Sequence, residues 1–248
     1  MDHAECCDAL AVEVERFSRA MSALPSDAEI ATCPGWDVVD LAEHLGLIHR
    51  WADQLVRARA SERIPRTANV ENRDEVSPAW IEVGGSQLVT TLRDADPDDQ
   101  MWAWGRDQHV RFWSRRQLHE TLVHRMDLEL TAQKSPQAET AVAADAIDEY
   151  LSNIEKVARN STDLSLLRGH GERLAFRPND SALMWSITLG EDGFRVTNDE
   201  TAFDAELVGS SVDLLLAILR RRRIDETGVT VKGDHRLVDF WLAHSAFD

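Results

Sequence analysis

Glu120 and His124 stand four residues apart. On a helix that spacing separates two side chains by about 40° in azimuth and stacks them one turn apart, so both reach one ion. His44 lies in a different stretch of helical periodicity, and an antiparallel bundle brings such a residue opposite a pair on another helix, which is how metal sites in bundle cores are built. Two neutral imidazoles and one carboxylate are the donor set of catalytic zinc, with a position left for water, substrate or a thiol. Iron(II) or nickel would accept the same groups. His119 precedes Glu120 and is rotated about 100° from it, which suits a supporting or substrate-facing role better than ligation of the same ion. A solvated Glu–His pair on a helix surface has the same spacing, so the surrounding elements must decide between the two readings.

Trp102 and Trp104 alternate with small residues just ahead of the metal-bearing stretch. Aromatic walls are common around small-molecule pockets, which makes both residues candidates for substrate binding; packing in a bundle core is the other reading. Four arginines, Arg220 to Arg223, follow an apolar run. A solvated helix C-terminus explains most of them, while one turned inward would clamp a carboxylate with a bidentate geometry that lysine cannot reproduce. His49, His109 and His235 read as structural. No GxGxxG, GxxxxGK, HExxH or GxSxG occurs, so nucleotide chemistry and serine hydrolysis lack their usual signals.

The elements that must position these groups follow from hydrophobic period. Leu10, Val14, Phe17, Met21 and Leu24 form one helical stripe before Pro25. Asp37 is the expected N-cap of a second helix carrying Val38, Leu41, Leu45, Ile48, Ala52 and Leu55 to about Ala60, with His44 inside it. Ser77 before Pro78 opens a third helix with Ile81, Leu88 and Leu92, although Gly84 and Gly85 weaken it. A fourth runs from about Val110 to Leu130. Ser135 and Pro136 repeat the cap signature before a fifth that reaches about Arg159. From residue 172 the alternation becomes twofold at Leu174 and Phe176, then Trp185, Ile187 and Leu189, then Phe194 and Val196. A helix over Ser210–Arg222, a strand near Val229–Val231 and a helix over Asp234–His244 complete the chain. The expected fold class is α plus α+β: a helical bundle over 1–162, then a small α+β domain over 163–248. The link Ser61–Ser77 is expected to be flexible.

The chain has 248 residues and a formal charge of −17. So negative a surface repels phosphate backbones and anionic headgroups, which argues against nucleic-acid and membrane partners. No apolar run approaches the roughly 20 residues of a membrane span, and the N-terminus lacks the basic-then-apolar order of a signal peptide. A soluble cytoplasmic protein, monomer or homodimer, is expected. Three cysteines, two of them adjacent, give no disulfide framework and agree with a reducing compartment.

Two segments carry a family resemblance. Cys33-Pro-Gly-Trp36-Asp-Val-Val-Asp40-Leu-Ala-Glu-His44-Leu and Phe112-Trp-Ser-Arg115-Arg-Gln-Leu-His119-Glu120-Thr-Leu-Val-His124-Arg-Met-Asp127 resemble signature segments of the mycothiol-dependent maleylpyruvate isomerase family. That family belongs to the DinB-like group of metal-binding four-helix bundles. Asn179-Asp180 with Trp185, Leu214-Leu-Leu216, the arginine run and Gly233-Asp234 resemble, more loosely, its C-terminal domain, an α+β unit related to sterol-carrier folds. The resemblance implies Zn2+ held by His44, Glu120 and His124, and mycothiol as a low-molecular-weight thiol cosubstrate. It implies a thiolate, made available at neutral pH by the metal, that adds to an activated cis double bond; rotation and elimination then release the trans isomer. The family's Gly-Arg-Arg aligns with Arg220, Arg221 and Arg222, which makes Arg221 the expected partner of the enolate oxygen, Arg222 a substrate-binding residue and Arg220 a departure from the family's glycine. Met126 departs as well, from a frequent aromatic. Two alternatives stay open: a mycothiol S-transferase, in which elimination does not follow addition, and a non-catalytic module for a small ligand.

Overall fold

The computed structural model describes residues 1–66, 70, 72–158 and 161–246, which divide into two compact units, Met1–Gln137 and Ala138–Asp248. The first holds four long helices: α1 (His3–Ser22), α2 (Val38–Ala58), α3 (Pro78–Asp94) and α4 (Val110–Thr131). Each apolar stripe is buried, with α1 against α3 and α4 and α2 against the same two helices. The starts of α1, α2 and α3 are set by side chains that take up orphaned N–H groups. Asp2 with Glu5, and Asp37 with Asp40, form capping boxes, and the Ser77 hydroxyl accepts from the Trp80 amide with Pro78 in the first turn. Arg73 ties Asp37 and Asp40 together at the start of α2. Gly85 has a packing role in α3: a Cβ there would sit 2.6 Å from Val14 Cγ1, so the glycine lets α3 lie close to α1.

The α4 helix is buried on most of its circumference, polar groups included, among them Gln117, Thr121, Arg125 and Asp127. These groups need partners from neighbouring helices. Ser114 Oγ lies 2.9 Å from His3 Nδ1, and Thr121 Oγ1 lies 2.9 Å from Nε2 of the fully buried His49. Burial holds the His49 imidazole down to a pKa of about 3, so the ring is neutral at every working pH. The unfolded chain takes up that proton near 6.5, so the stability contributed by neutral His49 is complete above that pH and is lost on acidification from about 6.5 towards 3. Relative to a His49→Gln variant, which keeps a polar group for Thr121, the wild type should lose roughly 1.5 kcal/mol of unfolding free energy between pH 6.5 and 5. Urea unfolding at the two pH values measures this, and parallel curves for the two proteins would refute it.

The second unit contains α5 (Thr140–Val157), β1 (Arg173–Pro178), β2 (Trp185–Gly190), β3 (Gly193–Thr197), β4 (Ala205–Gly209), α6 (Ser211–Ile218), β5 (Thr230–Gly233) and α7 (His235–His244). The sheet order is β3-β2-β1-β4-β5, with β1 and β4 parallel and the other pairs antiparallel. A helical bundle followed by a mixed α+β unit is the expected fold class.

Several boundaries differ from the sequence reading. The fifth helix packs on α6 and β3, so the compact units part after Gln137, whereas the change of period had placed a boundary near 162. Period reports that α5 buries a face, not which neighbour covers it: Asp148 accepts from the Trp185 indole of β2, and the Tyr150 hydroxyl donates to the Ser245 carbonyl beyond α7. Its start is Glu139 without a side-chain cap, so Ser135 and Pro136 belong to the preceding loop. The expected end at Arg159 lies outside the described residues, as do Thr67, Ala68, Asn69 and Glu71 of the link Ser61–Ser77. Strand β4 went unnoticed, although Ala205, Leu207 and Gly209 alternate inward. The helix expected over Ser210–Arg222 ends at Ile218, so the arginines follow it in irregular chain. Among the described residues no helix is long and apolar enough to cross a membrane.

Candidate metal centre

The centre is built from one turn and two helices of the first unit. In Cys33-Pro-Gly-Trp36 the Trp36 amide donates to the Cys33 carbonyl at 3.1 Å, and Gly35 has φ +83°, the arrangement of a type II turn with proline and glycine at its two central positions. The turn brings the Trp36 ring 4.9 Å from the His44 ring, which fixes one face of that imidazole. One turn of α4 presents Glu120 and His124 to it.

His44 Nε2 lies 3.2 Å from Glu120 Oε1, and His124 Nε2 lies 3.4 Å from the same oxygen. The two imidazole rings meet edge to face, centroids 5.2 Å apart. A tetrahedral zinc with bonds of about 2.0–2.2 Å to nitrogen and oxygen spaces its donors roughly 3.3 Å apart. Glu120 Oε1 therefore already stands from each imidazole nitrogen at the separation that one ion requires, and all three donors lie within 4.8 Å of one another, so the residues fit the metal.

The electrostatics agree. Burial alone would raise the Glu120 carboxyl, but Arg116, His124 and His44 together hold it well below the ordinary carboxylate range, so it is the charged ligand that a cation needs. Arg116 donates to Oε2 and leaves Oε1 to the histidines. Burial would lower His124, yet hydrogen bonds to Asp127 and Glu120 outweigh it and raise the ring to about 9. An incoming ion must displace that proton. The fully buried Asp127 places Oδ2 3.0 Å from His124 Nδ1, which keeps the proton on Nδ1 and aims Nε2 at the ion.

Of the residues singled out in the sequence, His44, Glu120 and His124 are brought together. His119 is buried in α4 and belongs to neither cluster of metal-ligating groups found among the described residues. Trp102 packs with Trp51 and Trp113, at 6.0 and 5.9 Å between centroids, in an aromatic cluster of the bundle. Trp104 stacks edge to face on Phe112, and the guanidinium of Arg116, which donates to Glu120, lies 5.9 Å over its ring. In the second unit, Arg221 donates to the Leu219 carbonyl at 3.2 Å, and Arg222 lines a cavity of about 860 Å³ with Arg220 and Arg223. Arg220 has φ +56°, a left-handed conformation that explains why a glycine suits that place in the resembled pattern. His109 stands at the N-cap position of α4 without a side-chain cap, its imidazole paired with Asp107.

Sequence reasoning missed Asp127, Arg116 and Trp36 as parts of the centre. A signal existed for two of them: on a helix, Arg116 four residues before Glu120 and Asp127 three after His124 occupy neighbouring surface positions.

The family model described as "Mycothiol maleylpyruvate isomerase N-terminal domain" matches residues 7–129, and that described as "MDMPI C-terminal domain" matches residues 141–240. Among solved structures, a mycothiol-dependent maleylpyruvate isomerase shares the fold at a TM-score of 0.60 and 17% identity, over 94% of this chain and 93% of that one. A point mutant of a mycothiol-dependent maleylpyruvate isomerase gives 0.60 and 16% over the same shares. No curated protein sequence matches significantly.

Proposed function

This chain belongs to the mycothiol maleylpyruvate isomerase family, and from that premise we propose that it is a zinc- and mycothiol-dependent enzyme that adds a thiolate to an electrophilic double bond and carries out cis–trans isomerisation. Membership of the family carries catalysis of its general type, as isomerase or thiol transferase. The observation that supports the metal is the convergence of two imidazole nitrogens on Glu120 Oε1 at 3.2 and 3.4 Å.

When bound, zinc supplies a thiol that is ionised at neutral pH. His44, Glu120 and His124 would hold it, leaving a fourth position for the sulfur donor. Asp127 holds the His124 proton on Nδ1, and Arg116 keeps Glu120 turned so that one oxygen faces the ligand set. Trp36 and Trp104 limit water around these groups, with Trp104 and Trp102 as the proposed apolar contacts of the substrate. His119 is proposed as a positioning residue for Glu120, its neighbour in sequence. Arg221 is proposed to meet the charge that develops on the conjugated carbonyl oxygen, and Arg222 a substrate carboxylate. Action in the cytoplasm is part of this reading, supported by three cysteines of which none is in a disulfide.

Incubation of the zinc-loaded protein with mycothiol and maleylpyruvate, followed by mass spectrometry and ultraviolet absorption, tests the reading. Isomerisation leaves the mass unchanged and converts cis to trans, dependent on the thiol. A stable thiol adduct would indicate the transferase instead, and neither product, over a panel of unsaturated acids, epoxides and halides, would sink both.

A further inference from the structure

A second set of donors shares His124. Cys33 Sγ, a His124 ring nitrogen and an Asp127 carboxylate oxygen all lie within 4.8 Å of one another. Cys33 Sγ is 3.8 Å from Asp127 Oδ2, and that oxygen is 3.0 Å from His124 Nδ1. A tetrahedral ion with a bond of about 2.3 Å to sulfur and 2.0–2.2 Å to nitrogen and oxygen would space these pairs roughly 3.5 and 3.3 Å apart. These two pairs are therefore within a few tenths of an ångström of those spacings. The turn holds Cys33 in this position: its amide donates to the Ile30 carbonyl at 2.9 Å, and the Ile30 amide donates to the Trp36 carbonyl at 2.8 Å.

We propose that Cys33, His124 and Asp127 form a second metal site, selective for thiophilic cations such as Cd2+, whose occupation excludes an ion from the His44–Glu120–His124 set. Selectivity comes from the thiolate, a soft donor that the first set lacks. Exclusion comes from the imidazole. A neutral ring has one N–H and one lone pair, so an ion on Nδ1 leaves the proton on Nε2, the atom that faces Glu120. The same ion takes Asp127 from the hydrogen bond that oriented the ring, and the thiol proton of Cys33 leaves to solvent. The inference stands apart from the catalytic reading, because it needs only the donors and no organic substrate. It gives Cys33 the character of a sensitive point through which soft metals inactivate the first site.

The experiment is a titration of the metal-free full chain with Cd2+, followed by the thiolate-to-cadmium charge-transfer absorption in the ultraviolet. The band should saturate at one equivalent in the wild type, vanish in Cys33→Ser and Cys33→Ala, need at least tenfold more cadmium in Asp127→Asn, and persist in Cys7→Ser, whose thiol is buried in α1. Zinc-loaded wild type should release its zinc as the band grows, read with a chromogenic chelator. Absence of the band in the wild type, its survival in the Cys33 variants or its loss in Cys7→Ser would overturn the site. Growth of the band with zinc retained would overturn the exclusion.

Discussion

His124→Ala is expected to abolish stable zinc binding: wild-type protein from zinc-replete cells should carry about one zinc per chain after dialysis against a weak chelator, and the variant close to none. The reason is geometric. His124 supplies one of the three donors that face one another at the centre, and its Nε2 is aimed there by Asp127. Removing only the supporting partner, in Asp127→Asn, should weaken zinc by about 10–100-fold, the usual cost of losing an outer hydrogen bond to a ligating histidine. Removing the ligand itself must cost more. Wild-type affinity should also rise from pH 6 to about 9, because the ion competes with a proton that Asp127 and Glu120 hold on His124 up to about that pH. Chelator competition with metal analysis reads both effects. Equal zinc in wild type and His124→Ala would show that the ion, if any, sits elsewhere. His109→Ala, which removes a side chain paired with Asp107 and outside both candidate ligand sets, is the control and should keep its metal.

How far the sequence carried the argument depended on which kind of information each feature needs. The candidate trio was legible because Glu120 and His124 obey a local rule, four residues on one helix, and His44 lies on a second helix whose start Asp37 marks. The helices of the first unit were legible for the same reason: Ser77–Pro78 and Asp37 are local caps. What escaped depends on contacts between distant segments. Nothing local to Thr140–Val157 says that its apolar face meets α6 and β3, so the fifth helix looked like a further member of the bundle. Gly85 looked like a defect until its closeness to Val14 on α1 was seen. Strand β4 is only five residues long, directly after Asp204 and ending in Gly209, and its pairing with β1 is what makes it a strand. The low amphipathicity of α4 belongs to the same class of fact. The helix itself was expected over about Val110 to Leu130, but the burial of its polar groups on several faces was not, and it carries Glu120 and His124 with most of their supporting hydrogen bonds.

That burial gives the second large prediction, Arg125→Ala, which should destabilise the protein by about 3–5 kcal/mol without touching the metal ligands. The Arg125 side chain is 0% exposed and donates from Nε to Glu13 Oε2 at 2.8 Å and from Nη1 to Glu129 Oε2 at 2.6 Å, while Glu13 also pairs with Arg16 at 3.0 Å. Glu13 belongs to α1, so the arginine joins the two helices through a carboxylate that is itself buried. Alanine would leave that carboxylate with only the partly exposed Arg16 as a partner and open a void the size of a guanidinium, and an uncompensated buried charge costs far more than the intact pair contributes. Pairing Arg125→Met with Glu13→Leu removes both charges and fills the space, so the double variant should recover most of the loss. Urea unfolding of wild type, the single variant and the double variant gives the three values. A single variant within about 1 kcal/mol of wild type would mean that the pair behaves as an exposed one. A double variant no more stable than the single would place the cost in lost shape, not in stranded charge.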